Sequence, residues 1–334
     1  MVITSKFRLA PEWTRQSALW VGWPHLRDEW GAAFTPAQDE IAAFAKTASR
    51  FVPLKLACGS QAGAQAARAK LGGIGAISIE HIPCGDIWLR DTGPVFSGRG
   101  GDLAALTFRF NGWGEKYVMP GDTDTALALA EQEGAPVEPH DFVLEGGAID
   151  LDGAGRLLTT RECLLNPNRN SDWSKADAEA ALRSAFGVDE IVWLTRGLIN
   201  DHTDGHVDNI ARFIGPGHVV CQAASGGDDP NAAIFGEVEA GLRRARLTVS
   251  TVPSPGRIEA ANGDVAPASH MNFVFAGSAL IVPIYEPVFS AQAGARFASL
   301  FPDREVILLP ARHILAGGGA FHCMTREIPA LPIG

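Results

Sequence analysis

The feature that most constrains this chain is a recurring order of hairpin, helix and strand, because a repeated unit dictates a repeated architecture. An apolar stretch at 148–151 meets the turn Asp152-Gly153-Ala154-Gly155 and returns through 157–160, which reads as a hairpin. A helical stretch at 176–186 and a strand at 191–194 follow. The same order recurs as 210–214, a Gly-Pro-Gly turn, 219–222, a helix near 232–245 and a strand at 247–252. It recurs again as 272–275 and 280–284 around Gly277-Ser278, a helix near 290–300 and a strand at 305–308. A fourth copy runs from 93–96 through the turn Ser97-Gly98-Arg99-Gly100-Gly101 to 103–110 and a helix near 123–133. A fifth closes a ring by pairing 319–324 with a strand at 18–23. The next helix starts at Thr35-Pro36-Ala37-Gln38, with a capping hydroxyl, Pro in the first turn and Gln placed to reciprocate.

Five units of roughly 65 residues predict one α/β propeller spanning 1–334, the alternative being a generic α/β sheet. No Pro/Ser-rich or highly charged tract marks a boundary. The net charge of −10 and the lack of a Lys/Arg run argue against a nucleic-acid partner. No apolar run is long enough to cross a bilayer, and the first residues lack a secretory pattern, so a cytoplasmic location is expected. Five cysteines without CxxC pairs read as free thiols.

In a ring of units, equivalent positions meet at the axis, so polar clusters at strand starts can share one pocket. The first cluster is Asp86-Ile87-Trp88-Leu89-Arg90-Asp91-Thr92-Gly93-Pro94. Trp88 offers a flat face for a delocalised cation, and Asp91 can accept two parallel N–H bonds from a guanidinium. The plainer reading is a surface loop in which Arg90 pairs with Asp91. The second is Leu144-Glu145-Gly146-Gly147, whose buried carboxylate needs a partner, either an arginine such as Arg169 or a bound cation.

The third is Asp201-His202-Thr203-Asp204-Gly205-His206-Val207-Asp208-Asn209. In an extended segment His206 and Asp208 face the same way, which suits proton transfer beside a cation. A metal site built on His202, Asp204, His206 and Asp208 is the rival, but no HExxH or Cys-plus-His set accompanies it, so no metal is assigned. The fourth places Cys323 after Gly317-Gly318-Gly319, where open backbone surrounds a potential nucleophile, although a lone cysteine is more often a small apolar side chain. The fifth, from Glu162 to Asn170, reads as a turn-rich loop without a chemical role.

Together, WLRDTGP, LEGG, HTDGHVDN and GGGAFHCMT resemble the agmatine deiminase and bacterial peptidylarginine deiminase family of the guanidine-modifying superfamily. The N-terminal PEW and GWPH segments are similar to it as well. The resemblance spans nearly the whole chain and implies a pentein, the five-bladed pseudo-symmetric α/β propeller of hairpin, helix and strand units. It implies Cys323 as nucleophile and His206 as general acid and base. Asp91, Glu145 and Asp208 become guanidinium-binding carboxylates, and Trp88 packs on the substrate. Each carboxylate contributes about 4 kcal/mol of gross Coulomb attraction at an effective dielectric of 20, before desolvation.

The implied reaction removes ammonia from a small cationic guanidine through an S-alkylthiouronium and needs no cofactor. Agmatine is the implied substrate, with arginine or peptidylarginine as the alternative; a noncatalytic binding protein on this fold is a further one. Met324-Thr325-Arg326-Glu327 departs from the family's usual Ile-Thr-Gln-Gln, which leaves recognition of the tail open, as is homo-oligomerisation.

Overall fold

A computed structural model describes residues 7–99 and 102–331; the turn at Gly100-Gly101 and the chain ends lie outside them. The strands are β1 (Phe7–Arg8), β2 (Gln16–Trp23), β3 (Leu54–Cys58), β4 (Ile77–His81), β5 (Val95–Arg99), β6 (Asp102–Arg109), β7 (Val137–Val143), β8 (Ile149–Leu151) and β9 (Arg156–Thr160). They continue as β10 (Glu190–Leu194), β11 (Ala211–Gly215), β12 (His218–Ala223), β13 (Thr248–Pro253), β14 (Val274–Ala276), β15 (Ala279–Ile284), β16 (Glu305–Pro310) and β17 (Thr325–Pro329). The longer helices are α1 (Phe34–Ala48), α2 (Gln61–Leu71), α3 (Asp122–Gln132), α4 (Lys175–Phe186), α5 (Ala232–Arg244) and α6 (Pro287–Leu300).

These form five small sheets, ordered β17-β2-β3-β4, β1-β5-β6-β7, β10-β9-β8, β11-β12-β13 and β14-β15-β16. Every sheet contains the same motif. Two strands pair antiparallel, a helix crosses over, and a third strand pairs parallel to the second, as in β11, β12, α5 and β13. The helix is required because parallel neighbours cannot be joined by a tight turn. The repeat read from the sequence is therefore a five-bladed pentein. Two sheets carry additions: β1 on the edge of one, and α2 with β4 on the unit that contains both ends of the ring.

Local chemistry sets the element boundaries. Ser174 caps α4 in a reciprocal box with Asp177, and Gly187 ends the helix at φ 63°, a left-handed conformation that favours glycine. Along α5, Ile234, Phe235, Val238 and Leu242 form a buried stripe. That stripe packs on β12 and β13 and also on β10 of the preceding blade. Shared apolar seams thus fix one blade against the next, and each fully buried Leu, Ile or Phe contributes about 1.5–3 kcal/mol.

Two expectations fail. The cap at Thr35 is not formed: α1 starts at Phe34 directly from the one-turn helix Gly31–Ala33, and Gln38 instead donates to the Pro24 carbonyl at 3.1 Å. The strand expected at 319–324 begins only at Thr325, where β17 pairs antiparallel with β2 in the register Thr325↔Val21. Residues 321–324 form turns because the Asn272 side-chain oxygen accepts both the His322 N–H at 2.8 Å and the Cys323 N–H at 3.2 Å. Those amides are thereby unavailable to a ladder.

Candidate active site

Each blade delivers a short polar segment immediately before its first strand. The one-turn helix Leu89–Thr92 precedes β5, Gly146–Ala148 precedes β8, Val207–Asn209 precedes β11, Asn272 precedes β14 and Cys323 precedes β17. Four of these segments were marked in the sequence. Asn272 was not, although the symmetry of the repeat points to its position.

The point of convergence is Gly147. A Cβ placed there would lie 2.6 Å from His206 Nδ1, 2.9 Å from Asp91 Oδ1 and 3.1 Å from Asp208 Oδ2. Three residues separated by as much as 117 positions therefore surround the space of one absent methyl group. Asp91 is held on both oxygens: the Gly147 N–H donates to Oδ1 at 2.9 Å and the Trp113 indole to Oδ2 at 2.9 Å. Trp113 has φ 54°, and Glu115 has φ 65°, in a tight loop where side-chain-bearing residues pay strain for position.

His206 and Asp208 converge for a different reason from the one expected. The segment is a single 3-10 turn rather than extended chain, and its placement comes from the His206 N–H bond to Thr203 Oγ1 at 3.1 Å and from Thr160 Oγ1 donating to the Gly205 carbonyl. Burial alone would lower the His206 ring, but Asp91, Cys163 and Glu145 beside it raise it well above its ordinary value. Both ring nitrogens are buried without a hydrogen-bond partner, and Nδ1 is 3.7 Å from Asp91.

Cys323 Sγ accepts from Asn272 Nδ2 at 3.1 Å and lies 3.9 Å from Asp208 Oδ2. Burial, Asp208 and Asp91 push its thiol well up. Without a bound cation it is a neutral thiol. Gly319 makes the close packing possible, since a Cβ there would lie 2.7 Å from the Trp88 ring and 3.0 Å from Sγ.

Behind this surface lies a brace. His322 contacts Asp208 Oδ2 at 2.7 Å through Nδ1 and Glu12 at 2.9 Å through Nε2. Glu12 is in turn bound by Arg90 at 3.0 Å and by Arg212. Arg90 also pairs with Glu327 at 2.7 Å, so the Arg90–Asp91 pair of the plainer reading does not form and Asp91 keeps only its N–H donors from Gly147 and Trp113. Burial would raise the Asp208 carboxyl, yet His322 and His206 hold it below the usual carboxylate range. Its Oδ1 has no partner.

Glu145 sits beside His206 and Cys163. Arg169 Nε donates to its Oε1 at 2.5 Å, so the structural partner considered from sequence is present, while Oε2 has none. Arg169 and Cys163 both come from the loop that had been given no chemical role; Arg169 was named from sequence as a partner for Glu145, whereas nothing local singled out Cys163. His202 and Asp204 do not join His206 and Asp208. His202 is stacked on Tyr117 at the cavity mouth, and Asp204 pairs with Lys116 and Arg169. Cys84 is buried, its thiol pushed up by burial, and it does not line the cavity.

The cavity above Cys323 has a volume of about 200 Å³. Trp30, Trp88, Trp113 and Tyr117 wall it, Glu29 and Asp86 supply its outer carboxylates, and no Lys or Arg lines it among the described residues. Trp30 and Trp88 are stacked with centroids 6.0 Å apart, and Asp86 accepts the Trp30 indole at 3.0 Å. Burial pushes the Asp86 carboxyl up to about 6 despite its bonds from Trp30, Ile87 and Trp88.

A buried thiol beside Asp208, with Asp91 and His206 gathered around Gly147 on the same five-bladed ring, fits a hydrolase of the guanidine-modifying pentein class. Residues 8–329 match the Porphyromonas-type peptidyl-arginine deiminase family. An agmatine deiminase of Pseudomonas aeruginosa (strain LESB58) is 36% identical over 354 residues, covering 97% of this chain and 96% of its own. A cysteine-to-serine variant of C. jejuni agmatine deiminase with substrate bound superposes with a TM-score of 0.91 at 28% identity, over 97% of this chain and 96% of that one. The agmatine deiminase of Enterococcus faecalis gives 0.90 at 29% identity, with the same coverage. This chain belongs to the Porphyromonas-type peptidyl-arginine deiminase family. No helix among the described residues is long and apolar enough to cross a membrane.

Proposed function

We propose that the protein is an agmatine deiminase, hydrolysing agmatine to N-carbamoylputrescine and ammonia through a covalent adduct on Cys323. The observation that carries this reading is the Cys323 sulfur beside Asp208 in an aromatic cavity lined by Glu29, Asp86 and Asp91 and, among the described residues, by no Lys or Arg. The relatives named agmatine deiminase support it, and residues 1–334 act as one catalytic unit.

The guanidinium binds between Asp91 and the free oxygen of Asp208, with Glu145 adding to the negative field and Trp88 packing on the substrate. Its positive charge offsets the two carboxylates that keep the thiol protonated, so Cys323 releases its proton to solvent when substrate arrives. The thiolate attacks the guanidinium carbon. His206, charged at neutral pH, donates its proton to the departing nitrogen; ammonia leaves and an S-alkylthiouronium remains. Neutral His206 then takes a proton from water, the resulting hydroxide adds to the same carbon, and the carbon–sulfur bond breaks to return the thiolate while the adduct's hydroxyl gives up its proton to solvent and becomes the carbonyl of N-carbamoylputrescine. No step requires a cofactor.

The tail explains the choice of substrate. Agmatine ends in a cation, which Asp86 and Glu29 attract, whereas the α-carboxylate of arginine would face these acids without a basic partner. A peptidylarginine, the second reading, would also have to fit main chain into an aromatic-walled cavity of about 200 Å³. Five unpaired cysteines fit a reducing cytoplasm. Ammonia release from agmatine, arginine and an arginyl peptide at equal concentration tests the assignment. Agmatine should be fastest, and equal or faster release from the peptide would overturn the substrate.

A further inference from the structure

Beside the imidazole assigned to proton transfer lies a thiol, Cys163, which that chemistry does not use. Glu145, Cys163 and His206 each offer a ligand atom, and these atoms all lie within 4.8 Å of one another. All three residues are fully buried. Glu145 Oε2 and both His206 nitrogens lack hydrogen-bond partners, so the cluster contains unspent donor capacity aimed at one small volume.

We infer that Glu145, Cys163 and His206 form an inhibitory site for a thiophilic divalent cation of the zinc class. One thiolate, one imidazole and one carboxylate make a borderline-soft set that suits tetrahedral Zn²⁺ and does not suit Mg²⁺ or Ca²⁺, which prefer oxygen alone. Three protein ligands leave a fourth position for water. Glu145 is pre-oriented by Arg169 on its other oxygen, the arrangement by which outer hydrogen bonds fix metal-binding carboxylates. Binding displaces the Cys163 proton, together with any proton on the coordinating His206 nitrogen, to solvent; no redox change occurs.

Occupancy removes His206 from proton transfer while leaving Cys323 and Asp91 outside the ligand set. That the metal silences turnover rests on the role proposed for His206, whereas occupancy is read by spectroscopy without any substrate, so the two ideas fail separately. This mode differs from direct capture of the nucleophile by a metal, since the ligating sulfur is the other thiol.

The test uses Co²⁺ added to the reduced, metal-free full chain as wild type, Cys323→Ser and Cys163→Ser. Wild type and Cys323→Ser should develop thiolate-to-cobalt absorption that Zn²⁺ abolishes, and Cys163→Ser should lack it. Zn²⁺ should inhibit wild-type ammonia release reversibly, chelation restoring it, with the half-inhibitory concentration at least about tenfold higher in Cys163→Ser relative to that variant's own metal-free rate. Cys163→Ala replaces the serine variant if the latter does not fold by circular dichroism. Absorption that is lost in Cys323→Ser, persists without Cys163 or never appears in wild type overturns the site.

Discussion

Replacing Gly147 by alanine isolates the contribution of geometry from that of chemistry, because every reactive group is retained. The backbone at this position is not left-handed, so alanine meets no conformational penalty of its own. Its methyl carbon would stand 2.6 Å from His206 Nδ1 and 2.9 Å from Asp91 Oδ1. Since ordinary contact begins near 3.4 Å, the imidazole must retreat by about 0.8 Å and the carboxylate by about 0.5 Å. Both groups are buried among packed neighbours, so the stability cost is about 1–3 kcal/mol. A displacement near 1 Å at reacting groups costs on the order of 100-fold in rate. The kcat/KM for ammonia release from agmatine should therefore fall about 100-fold, with a Tm reduced by several degrees but a cooperative transition. Wild-type kcat/KM in a folded Gly147→Ala protein would refute the claim that Asp91, His206 and Asp208 act from the positions described here.

Cys323→Ser should lose at least about 1,000-fold in kcat while still binding agmatine by calorimetry; substantial turnover would remove Cys323 as nucleophile. Because burial raises Asp86 to about 6, its carboxylate charge is present above that pH and lost below it, so kcat/KM for agmatine should decline as pH falls through about 6. Asp86→Asn should abolish that inflection and lower the plateau; an unchanged profile would exclude Asp86 from amine recognition. Arg169→Met should leave Glu145 buried and unpaired and destabilise the fold by about 3–5 kcal/mol in urea denaturation, and a loss under 1 kcal/mol would show that Glu145 finds another partner.

Much of the molecule was legible in the chain because its information is periodic. Hairpin turns such as Asp152-Gly153-Ala154-Gly155 and the apolar stripe of α5 are local signals, and three blades were read within a few residues of their observed bounds. The blade that joins the two ends was harder. At 319–324 the local pattern suits a strand, but Asn272, some fifty residues away, takes the amide hydrogens that a strand would need. The Thr35 signal failed likewise, outcompeted by a preceding helical turn that leaves no free end to cap.

The same division holds in the site. Asp91, Glu145, His206, Asp208 and Cys323 stand in motifs dense with polar residues at strand starts, which made them visible. Glu12, Trp113, Cys163, Arg169 and Asn272 are single residues whose importance exists only through partners distant in sequence. Glu12 makes the point: it meets His322 across 310 residues, and nothing in Pro11-Glu12-Trp13 announces that contact. Arg169 was found only by asking what a buried Glu145 needs, and Asn272 could have been found by asking what the one unmarked blade contributes at the equivalent position.

The antiparallel seam between β17 and β2 has a consequence for biosynthesis. A ribosome makes β2 well before β17, so β2 waits with an open edge through the production of four other blades. Cys323, two residues before β17, gains its neighbours Asn272 and Asp208 only when that seam zips shut. The Cys323 sulfur therefore reaches its neighbours only after the whole stretch between β2 and β17 has been made, and a nascent chain interrupted within that stretch lacks this cluster.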